Sequence, residues 1–266
     1  MVEAEHLTKA YGKHIALRDV SFTLEKGKLY GLLGVNGAGK TTTLQLLSGY
    51  LEPSEGEVRI DGISMEKDPV SCKKRVGYLP EIPPLYPELT VSEYLRFLAE
   101  LKGLSKNERA GAVEEALKRG GLRKYRKRLI GQLSKGLRQR VGLAGVMIGE
   151  PDVLLLDEPV NGLDPVQIVA MREVLQELKQ DRVIVVSSHV LSEIQQIADQ
   201  YLIIADGRLV YRSGETASSG DASDMDETGD LEEIFLRVTE EAYRRNMQDD
   251  LEEDEPEDDE DEDEEV

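Results

Sequence analysis

Residues 34–41 read Gly-Val-Asn-Gly-Ala-Gly-Lys-Thr, and this stretch decides the fold. It matches the pattern G-x-x-x-x-G-K-[ST], in which glycines let backbone N–H groups converge on an anion without obstruction by side chains. The apolar run Leu29–Gly34 precedes the loop and the helical pattern Lys40–Tyr50 follows it, so the positive end of a helix would point at the anion. The stretch predicts a phosphate-binding loop. The alternative is a glycine-rich turn with an incidental lysine.

Two side chains of this loop have specific expected roles. Lys40 would reach the β- and γ-phosphates of a nucleotide, and the hydroxyl of Thr41 would bind Mg²⁺. The expected ligands are therefore a nucleoside triphosphate and Mg²⁺. The residues predicted to contact the nucleotide here are Gly34, Val35, Asn36, Gly37, Ala38, Gly39, Lys40, Thr41 and Thr42.

A second motif further along the chain supplies carboxylates. The apolar run Val153–Leu156 ends in Asp157 and Glu158. Ligands of open α/β sheets bind at the carboxyl ends of the strands, so both acids would lie at the ligand site. Asp157 would hold Mg²⁺ through its water shell, and Glu158 would orient and deprotonate an attacking water. Alone, this pattern is also typical of a strand that simply ends at the surface; beside a phosphate loop it predicts triphosphate binding.

Strands and helices alternate along much of the chain, which predicts an α/β fold with a mainly parallel sheet. Helical patterns occur at about Pro165–Lys179 and Val190–Ile197. The runs with the length and composition of buried strands are Leu29–Gly34, Val153–Leu156, Val183–Ser187 and Tyr201–Ala205.

Two regions depart from this alternation. Val2–Thr8, Ala16–Leu24 and Glu57–Ile60 are short strands joined by glycine turns, which predict a small antiparallel subdomain. Between about Leu89 and Gly149 the pattern is almost entirely helical. This region is predicted to be an inserted α-helical subdomain.

Composition limits the classes of function. The 266 residues include 33 Lys and Arg against 53 Asp and Glu, a net charge of −20. Residues 249–266 carry 15 of these acids and no base, so the rest is only mildly acidic and gives no support to nucleic-acid binding. The single Cys72 excludes an internal disulfide and a cysteine-only metal cluster. Because we find no signal-peptide pattern and no apolar run of ~18 residues, we expect a soluble cytosolic protein.

The C-terminal part divides into three segments. Residues 213–230 are rich in Gly, Ser, Thr, Ala and Asp and predict a flexible linker. Residues 231–248 regain helical periodicity, and the acidic residues 249–266 predict a disordered tail. Residues 118–140 hold ten Lys or Arg and no acid. The tail would either cover this basic block at low salt or act only as a solubilising tail. The basic block itself is equally typical of a docking face for a membrane partner or of a surface that attracts ATP.

The remaining motifs resemble those of the ATP-binding-cassette (ABC) ATPases. Leu133-Ser-Lys-Gly-Leu-Arg-Gln-Arg140 resembles the family's signature motif, and Ser187-Ser-His189 resembles its switch-histidine motif. Asn161-Gly-Leu-Asp164 is similar to the loop after the catalytic acid. Val76–Glu81 lies where the family has its Q-loop, and Tyr11-Gly12 resembles the loop that stacks on adenine.

These motifs follow the family's order over roughly residues 2–212, which would be the ABC ATPase domain. The resemblance implies a P-loop NTPase core with a mainly parallel sheet, an antiparallel β subdomain and an inserted α-helical subdomain, with ATP and Mg²⁺ as ligands. The site residues implied by the resemblance are Glu158, His189 and Glu81 as catalytic residues, Thr41, Asp157 and Glu81 as metal ligands, and Tyr11, Ser134, Gly136 and Asp164 as further nucleotide contacts.

The sequence departs from the common family pattern in two motifs. The usual signature Leu-Ser-Gly-Gly-Gln here has Lys135 for the first glycine and Leu137 for the glutamine. Ser134 and Gly136 remain, so we expect the signature to function. Glu81 stands where the Q-loop usually has glutamine. Both features resemble the branch that drives ABC-2-type exporters, which includes drug, sodium and gliding-motility export systems.

The resemblance also implies partners. In the family, two chains form a head-to-tail homodimer around two ATP molecules, and the closure moves integral membrane permease subunits on separate chains. Those subunits would dock near Glu81–Leu95, beside the proline-rich Pro80–Pro87, on the cytoplasmic face of the inner or plasma membrane. A soluble ABC ATPase without a transporter is the alternative, and a nucleotide switch without hydrolysis is disfavoured by Glu158.

Four single residues also have simpler interpretations. Glu81 alone is typical of a residue that merely follows a strand and has no catalytic part. His189 alone is typical of a polar residue at a strand end, and Tyr11 of a surface aromatic. Ser134 is also a good helix N-cap, which agrees with an anion-binding role because a helix N-terminus presents N–H donors.

Overall fold

The structure is a computed structural model that describes residues 1–213 and 231–253. The expected linker beyond Ser213 and the expected tail beyond Glu253 lie outside the described residues. The strands are β1 (Val2–Tyr11), β2 (His14–Leu24), β3 (Lys28–Leu33), β4 (Glu55–Ile60), β5 (Ile63–Ser64), β6 (Val76–Leu79), β7 (Val153–Leu156), β8 (Val183–Ser188), β9 (Gln200–Ala205) and β10 (Arg208–Arg212).

Helices cover both faces of the larger sheet and fill the middle of the chain. None of those in residues 1–213 and 231–253 is both long and apolar enough to cross a bilayer. The helices are α1 (Lys40–Leu47), α2 (Pro69–Arg75), α3 (Val91–Leu101), α4 (Lys106–Arg119), α5 (Lys135–Met147), α6 (Pro165–Leu178), α7 (Leu191–Gln195) and α8 (Leu231–Glu253).

The larger sheet has six strands in the order β10-β9-β3-β8-β7-β6. All its neighbours pair in parallel except β9 and β10. Alternate side chains of β7 enter two different cores: Leu154 and Leu156 face the helices of one, and Val153 and Leu155 the other. Because both faces are covered, the strands are apolar throughout. The predicted parallel α/β core is confirmed.

The smaller sheet is antiparallel, in the order β2-β1-β4-β5, as predicted for the N-terminal strands. Its apolar side chains share a core with the larger sheet and α1. Cys72 on α2 belongs to this core, where it is fully buried and its thiol donates to the Ile63 carbonyl over 3.4 Å. The two sheets are therefore joined by one continuous apolar layer.

The middle of the chain contains α3, α4 and α5, which pack on one another. A capping box begins α3, where Thr90 accepts from the Glu93 N–H over 3.3 Å and the Glu93 carboxylate accepts from the Thr90 N–H over 2.8 Å. The expectation of an almost entirely helical block needs a correction. Residues 120–134 are irregular apart from two single 3₁₀ turns, because Gly121 takes a positive φ of 65° that ends the helical path after α4.

The C-terminal helix α8 is longer than expected. It continues through Glu253, so residues 249–253, which we assigned to a disordered tail, are helical. Its N-terminal half is fixed by Ile234 and Val238, both buried in the helical core. Beyond them, residues of good helical propensity such as Leu, Met, Gln and Glu extend the helix. The sequence analysis also left β5, β6, β10 and α2 unassigned.

Candidate nucleotide-binding and active site

The candidate residues gather at the carboxyl edge of the parallel sheet. The loops after β3, β7 and β8 leave this edge side by side, since Leu33 pairs with Ser188 and Leu156 with Val186. The phosphate loop, the acids after β7 and His189 are thereby brought to one place. This is the position that the ends of parallel strands favour for a ligand.

Glycines are required in the phosphate loop for two different reasons. A Cβ on Gly34 would lie 2.3 Å from the Ile204 carbonyl oxygen, a distance that no side chain tolerates. Gly39 has a φ of 109°, and a Cβ there would lie 2.8 Å from the Ala16 carbonyl oxygen. The loop therefore packs tightly against β2 and β9 while its rim, residues 35–37, stays exposed.

Lys40 is buried, with 6% of its surface exposed, at the start of α1. Its ammonium donates to the carbonyls of Gly34 over 2.7 Å and Val35 over 3.2 Å, and lies 3.9 Å from Glu158 Oε1. Burial lowers the pKa of Lys40, an effect opposed by the nearby carboxylates of Glu158, Asp157 and Glu81. No side chain caps α1, so its first N–H groups face the loop together with this buried cation. The arrangement suits a polyanion.

The acid pair after β7 is held by Ser187 from β8. Asp157 and Glu158 are buried, 2% and 8% exposed. The Ser187 hydroxyl donates to Asp157 Oδ1 over 2.7 Å and accepts from the Glu158 N–H over 2.9 Å. Glu158 has a φ of 46°, in the left-handed region that costs a non-glycine residue free energy. The Ser187 hydroxyl thus holds the side chain of Asp157 and the strained backbone of Glu158.

His189 contacts Glu158 directly. Its Nδ1 lies 3.0 Å from both carboxylate oxygens, and the histidine side chain is 41% exposed while that of the acid is 9% exposed. The histidine therefore stands between the buried carboxylate and the open side of the site.

Glu81 is connected to the same acids through Asn161. The Asn161 amide donates to Glu81 Oε1 over 3.0 Å, and its backbone N–H donates to the Glu158 carbonyl over 3.1 Å. The side chain of Glu81 is thereby tied to the loop that follows Glu158. The sequence motif included Asn161 but gave it no role.

The signature residues pack on the start of α6 within the same chain. Ser134 caps α5 by accepting from the Leu137 N–H over 3.4 Å and is exposed. A Cβ on Gly136 would lie 2.0 Å from Gln167 Oε1, so the end of the Gln167 side chain occupies this space and a larger residue at 136 would displace it. The Lys135 side chain occupies the space beside Gly162. A Cβ built on Gly162 would lie 2.3 Å from the Lys135 ammonium nitrogen.

Two other predicted nucleotide contacts have partners within the chain. Asp164 caps α6, since its Oδ1 accepts from the Gln167 N–H over 2.9 Å. Tyr11 ends β1, is 47% exposed and has the Lys9 ammonium 5.4 Å from its ring centroid. Both side chains are at the surface. Their contacts with a nucleotide stay predictions.

The structure adds one feature that sequence reasoning missed. A cavity of about 650 Å³ separates the rim of the phosphate loop from α8. A cavity of this size is in the range of small-molecule sites. No sequence motif predicts this cavity, because it is formed by the packing of α8 on β9 and β10. The residues that line it are Val35, Asn36, Gly37, Ala38, Ala205, Asp206, Thr239, Glu240, Ala242 and Arg244.

Comparison with known proteins agrees with this geometry. The family model described as ABC transporter matches residues 17–161. The chain belongs to the ABC transporter family. Within it, the ABC transporter ATP-binding protein NatA of Bacillus subtilis (strain 168) is 42% identical over 199 residues, which cover 74% of this chain and 81% of NatA. The bacitracin transport ATP-binding protein BcrA of Bacillus licheniformis is 38% identical over 212 residues, 79% of this chain and 68% of BcrA.

Solved structures of ABC proteins have the same fold. One described as the ATP-binding subunit of an ABC transporter has a TM-score of 0.78 and 30% identity, and the match covers 90% of this chain and 99% of that one. A dimeric ATP-binding cassette in a post-hydrolysis state, bound to ADP and phosphate, has a TM-score of 0.73 and 26% identity, covering 80% of this chain and 98% of the other. This chain is thus an ATP-binding subunit of the ABC transporter family.

Proposed function

We propose that this ABC subunit hydrolyses ATP and thereby powers export through separate membrane subunits. The single observation that carries hydrolysis is the position of the Glu158 carboxylate between two partners. Its Oε1 lies 3.0 Å from His189 Nδ1 and 3.9 Å from the Lys40 ammonium. A buried carboxylate at this position has the chemistry of a general base beside a phosphate-binding lysine. The name of the bacitracin transport protein BcrA supports the export role.

Mg²⁺ fits the groups that are present. Thr41 offers an exposed hydroxyl at the start of α1, and Asp157 a carboxylate oriented by Ser187, with Glu81 tied close by. One or two carboxylates with a hydroxyl are typical of Mg²⁺, which keeps several waters. When bound, Mg²⁺ neutralises charge on the phosphate oxygens.

The chain's own residues would act in a simple order. Lys40 would exchange its bonds to the loop carbonyls for bonds to the β- and γ-phosphates. Glu158 would orient a water and accept its proton as the water oxygen attacks the γ-phosphorus. The bond from the γ-phosphorus to the β,γ-bridging oxygen breaks in the same step, so that ADP leaves and phosphate is formed. His189, hydrogen-bonded to Glu158, would hold that carboxylate in place and meet the departing phosphate.

We further propose that the signature acts across a head-to-tail homodimer. The exposed Ser134 begins a helix of 13 residues whose N-terminus presents donors to solvent. The dimeric ATP-binding cassette with bound ADP and phosphate supports such an assembly. In this proposal residues 1–212 form the ATPase domain, and Tyr11, Asp164 and Gly136 complete the nucleotide contacts.

The membrane partner would be a permease of separate chains at the cytoplasmic face of the membrane. A docking surface is available beside Pro80–Pro87, where Ile82 is 83% exposed and Tyr86 is 46% exposed. The soluble alternative predicts no such partner. Copurification of an integral membrane protein with the tagged chain would favour the transporter.

The Glu158→Gln variant tests hydrolysis. It should bind ATP but hydrolyse it at least ~100-fold more slowly, because the general base is lost while the phosphate contacts remain. Size-exclusion chromatography with ATP should then show a stable dimer. Glu177→Gln, an exposed change of the same kind on α6, is the control and should behave as wild type. Near-wild-type turnover of Glu158→Gln would contradict the assignment.

A further inference from the structure

A densely cationic segment lies outside the site described above. Residues 123–128 read Arg-Lys-Tyr-Arg-Lys-Arg, and every one of the Lys and Arg residues in it is exposed. We call these six residues the basic segment. The whole chain carries −20, so this surface opposes the overall charge and does not follow from a basic composition.

The backbone of the basic segment is fixed. The carbonyls of Arg126 and Arg128 accept from the N–H groups of Ser92 and Val91 over 3.0 and 3.1 Å, at the start of α3. Within the segment the Arg128 N–H donates to the Tyr125 carbonyl over 2.8 Å. A backbone that is already ordered loses little further conformational freedom when the surface binds.

Only part of this positive charge is paired within the described chain. Glu114 accepts from Arg123 over 2.7 Å and from Arg126 over 3.2 Å. Across residues 1–213 and 231–253, no carboxylate lies within ion-pair distance of Lys124, Lys127 or Arg128. The Arg128 guanidinium lies over the Tyr125 ring, 5.5 Å from its centroid. All three cations are exposed and therefore accessible to an external anion.

The basic segment adjoins the proposed permease-docking surface. Immediately after it, the Ile130 N–H donates to the Leu89 carbonyl over 2.9 Å and the Gly131 N–H to the Pro87 carbonyl over 3.0 Å. The exposed rings of Tyr86 and Phe97 lie just beyond, edge to face at 5.6 Å. If the permease docks there, as proposed above, the basic segment lies beside the membrane surface.

The sign of the charge selects the partner. Cytoplasmic loops of membrane proteins are enriched in Lys and Arg, so they would repel this segment. The cytoplasmic leaflet is anionic and attracts polybasic surfaces next to it. The chain's own acidic residues 254–266 are a weaker candidate, since α8 packs on β9 and β10, at the sheet edge opposite to β6 and the helical block. We infer that the basic segment binds the anionic headgroups of membrane lipids.

Vesicle binding by the full chain tests this inference. The protein should sediment with vesicles of phosphatidylcholine and phosphatidylglycerol but not with phosphatidylcholine alone, and added salt should weaken binding. The triple variant K124Q/K127Q/R128Q should lose about 100-fold in partition coefficient, given the usual contribution of each cation at an anionic surface.

A matched control separates this site from general charge. The variant K67Q/K73Q/K74Q removes the same charge from exposed lysines in and next to α2, and it should bind anionic vesicles nearly as well as wild type. Equal losses in both variants, no binding by wild type, or equal binding to both lipids would overturn the inference. ATP turnover of each protein is measured in parallel without vesicles. A lack of turnover would contradict the proposed ATPase function but not the lipid-binding inference. The vesicle experiment tests only whether the basic segment binds lipid.

Discussion

At the residue scale, one hydroxyl organises the acids of the site. Ser187 bonds to the side chain of Asp157 and to the backbone of Glu158, and it is fully buried. It touches neither phosphate nor water in our proposal, so it is a positioning residue. Its effect on hydrolysis passes through the orientation of the two acids.

Ser187→Ala should therefore lower kcat while leaving the KM for ATP nearly unchanged. Removing the hydroxyl leaves a buried donor and a buried acceptor without a partner, which costs about 1–3 kcal/mol. If this cost falls on the transition state, kcat decreases roughly 10- to 100-fold. Steady-state ATPase assays measure both constants.

The neighbouring Ser188→Ala is the matched control for this prediction. Ser188 is equally buried, but its hydroxyl contacts Glu193 over 3.3 Å and the Val190 backbone rather than the acids. Ser187→Thr keeps a hydroxyl and should recover part of the rate. A similar loss in Ser188→Ala, or a rise in KM without a fall in kcat, would show that Ser187 has only a structural role.

At the element scale, parallel strand pairing explains how much of the site could be predicted. The sequence motifs predicted that Lys40, Glu158 and His189 would meet, because each follows the carboxyl end of a buried strand. The link through Ser187 could not be predicted, since it depends on the register of β7 against β8. The packing of Lys135 beside Gly162, and of α8 beside the phosphate loop, depends on contacts between elements that no local pattern specifies.

The short helix α7 carries a carboxylate in an unfavourable place. Burial raises the pKa of Glu193, and the negative charge of Glu158 raises it further, although the Ser188 hydroxyl opposes both. A folded-state pKa above the unfolded value means that, at a pH within this range, the folded chain binds more protons than the unfolded chain does. Glu193 therefore costs stability progressively above its unfolded pKa of about 4.5.

Glu193→Gln should remove this cost. As pH rises from about 4 towards 7, the unfolding free energy of the variant should become larger relative to that of the wild type, because proton binding is linked to folding. Urea denaturation of both proteins across that range measures it. Exposed Glu173→Gln on α6 should give a difference without this pH slope. A flat profile for Glu193→Gln would mean that Glu193 titrates as in the unfolded chain.

At the scale of the whole molecule, charge is distributed very unevenly. The exposed basic segment belongs to the helical block, whereas the stretch with the highest density of acids, residues 249–266, begins at the end of α8 and continues beyond it. The described part of α8 borders the cavity beside the phosphate loop. We expect acidic residues attached to this helix to add negative potential near the phosphate loop, which an anionic nucleotide must approach.

Removal of residues 254–266 should therefore lower the KM for ATP at low ionic strength, with little change in kcat. The difference should be a few-fold at ~0.01 M salt, where the screening length is about 30 Å, and disappear near 1 M, where it is about 3 Å. A tail of the same length with Gln and Asn in place of the acids should behave like the truncation. Identical salt profiles for the full and shortened chains would leave the tail only a solubilising role.

The burial of Cys72 makes the protein convenient for optical experiments. Its thiol is enclosed in the core, and burial raises its pKa, so the reactive thiolate is scarce. Because the chain has no other cysteine, a cysteine introduced at the exposed Glu240 would be the single site that a maleimide dye modifies. Such a dye, at the border of the cavity beside the phosphate loop, would report the arrival and departure of nucleotide through its fluorescence in real time.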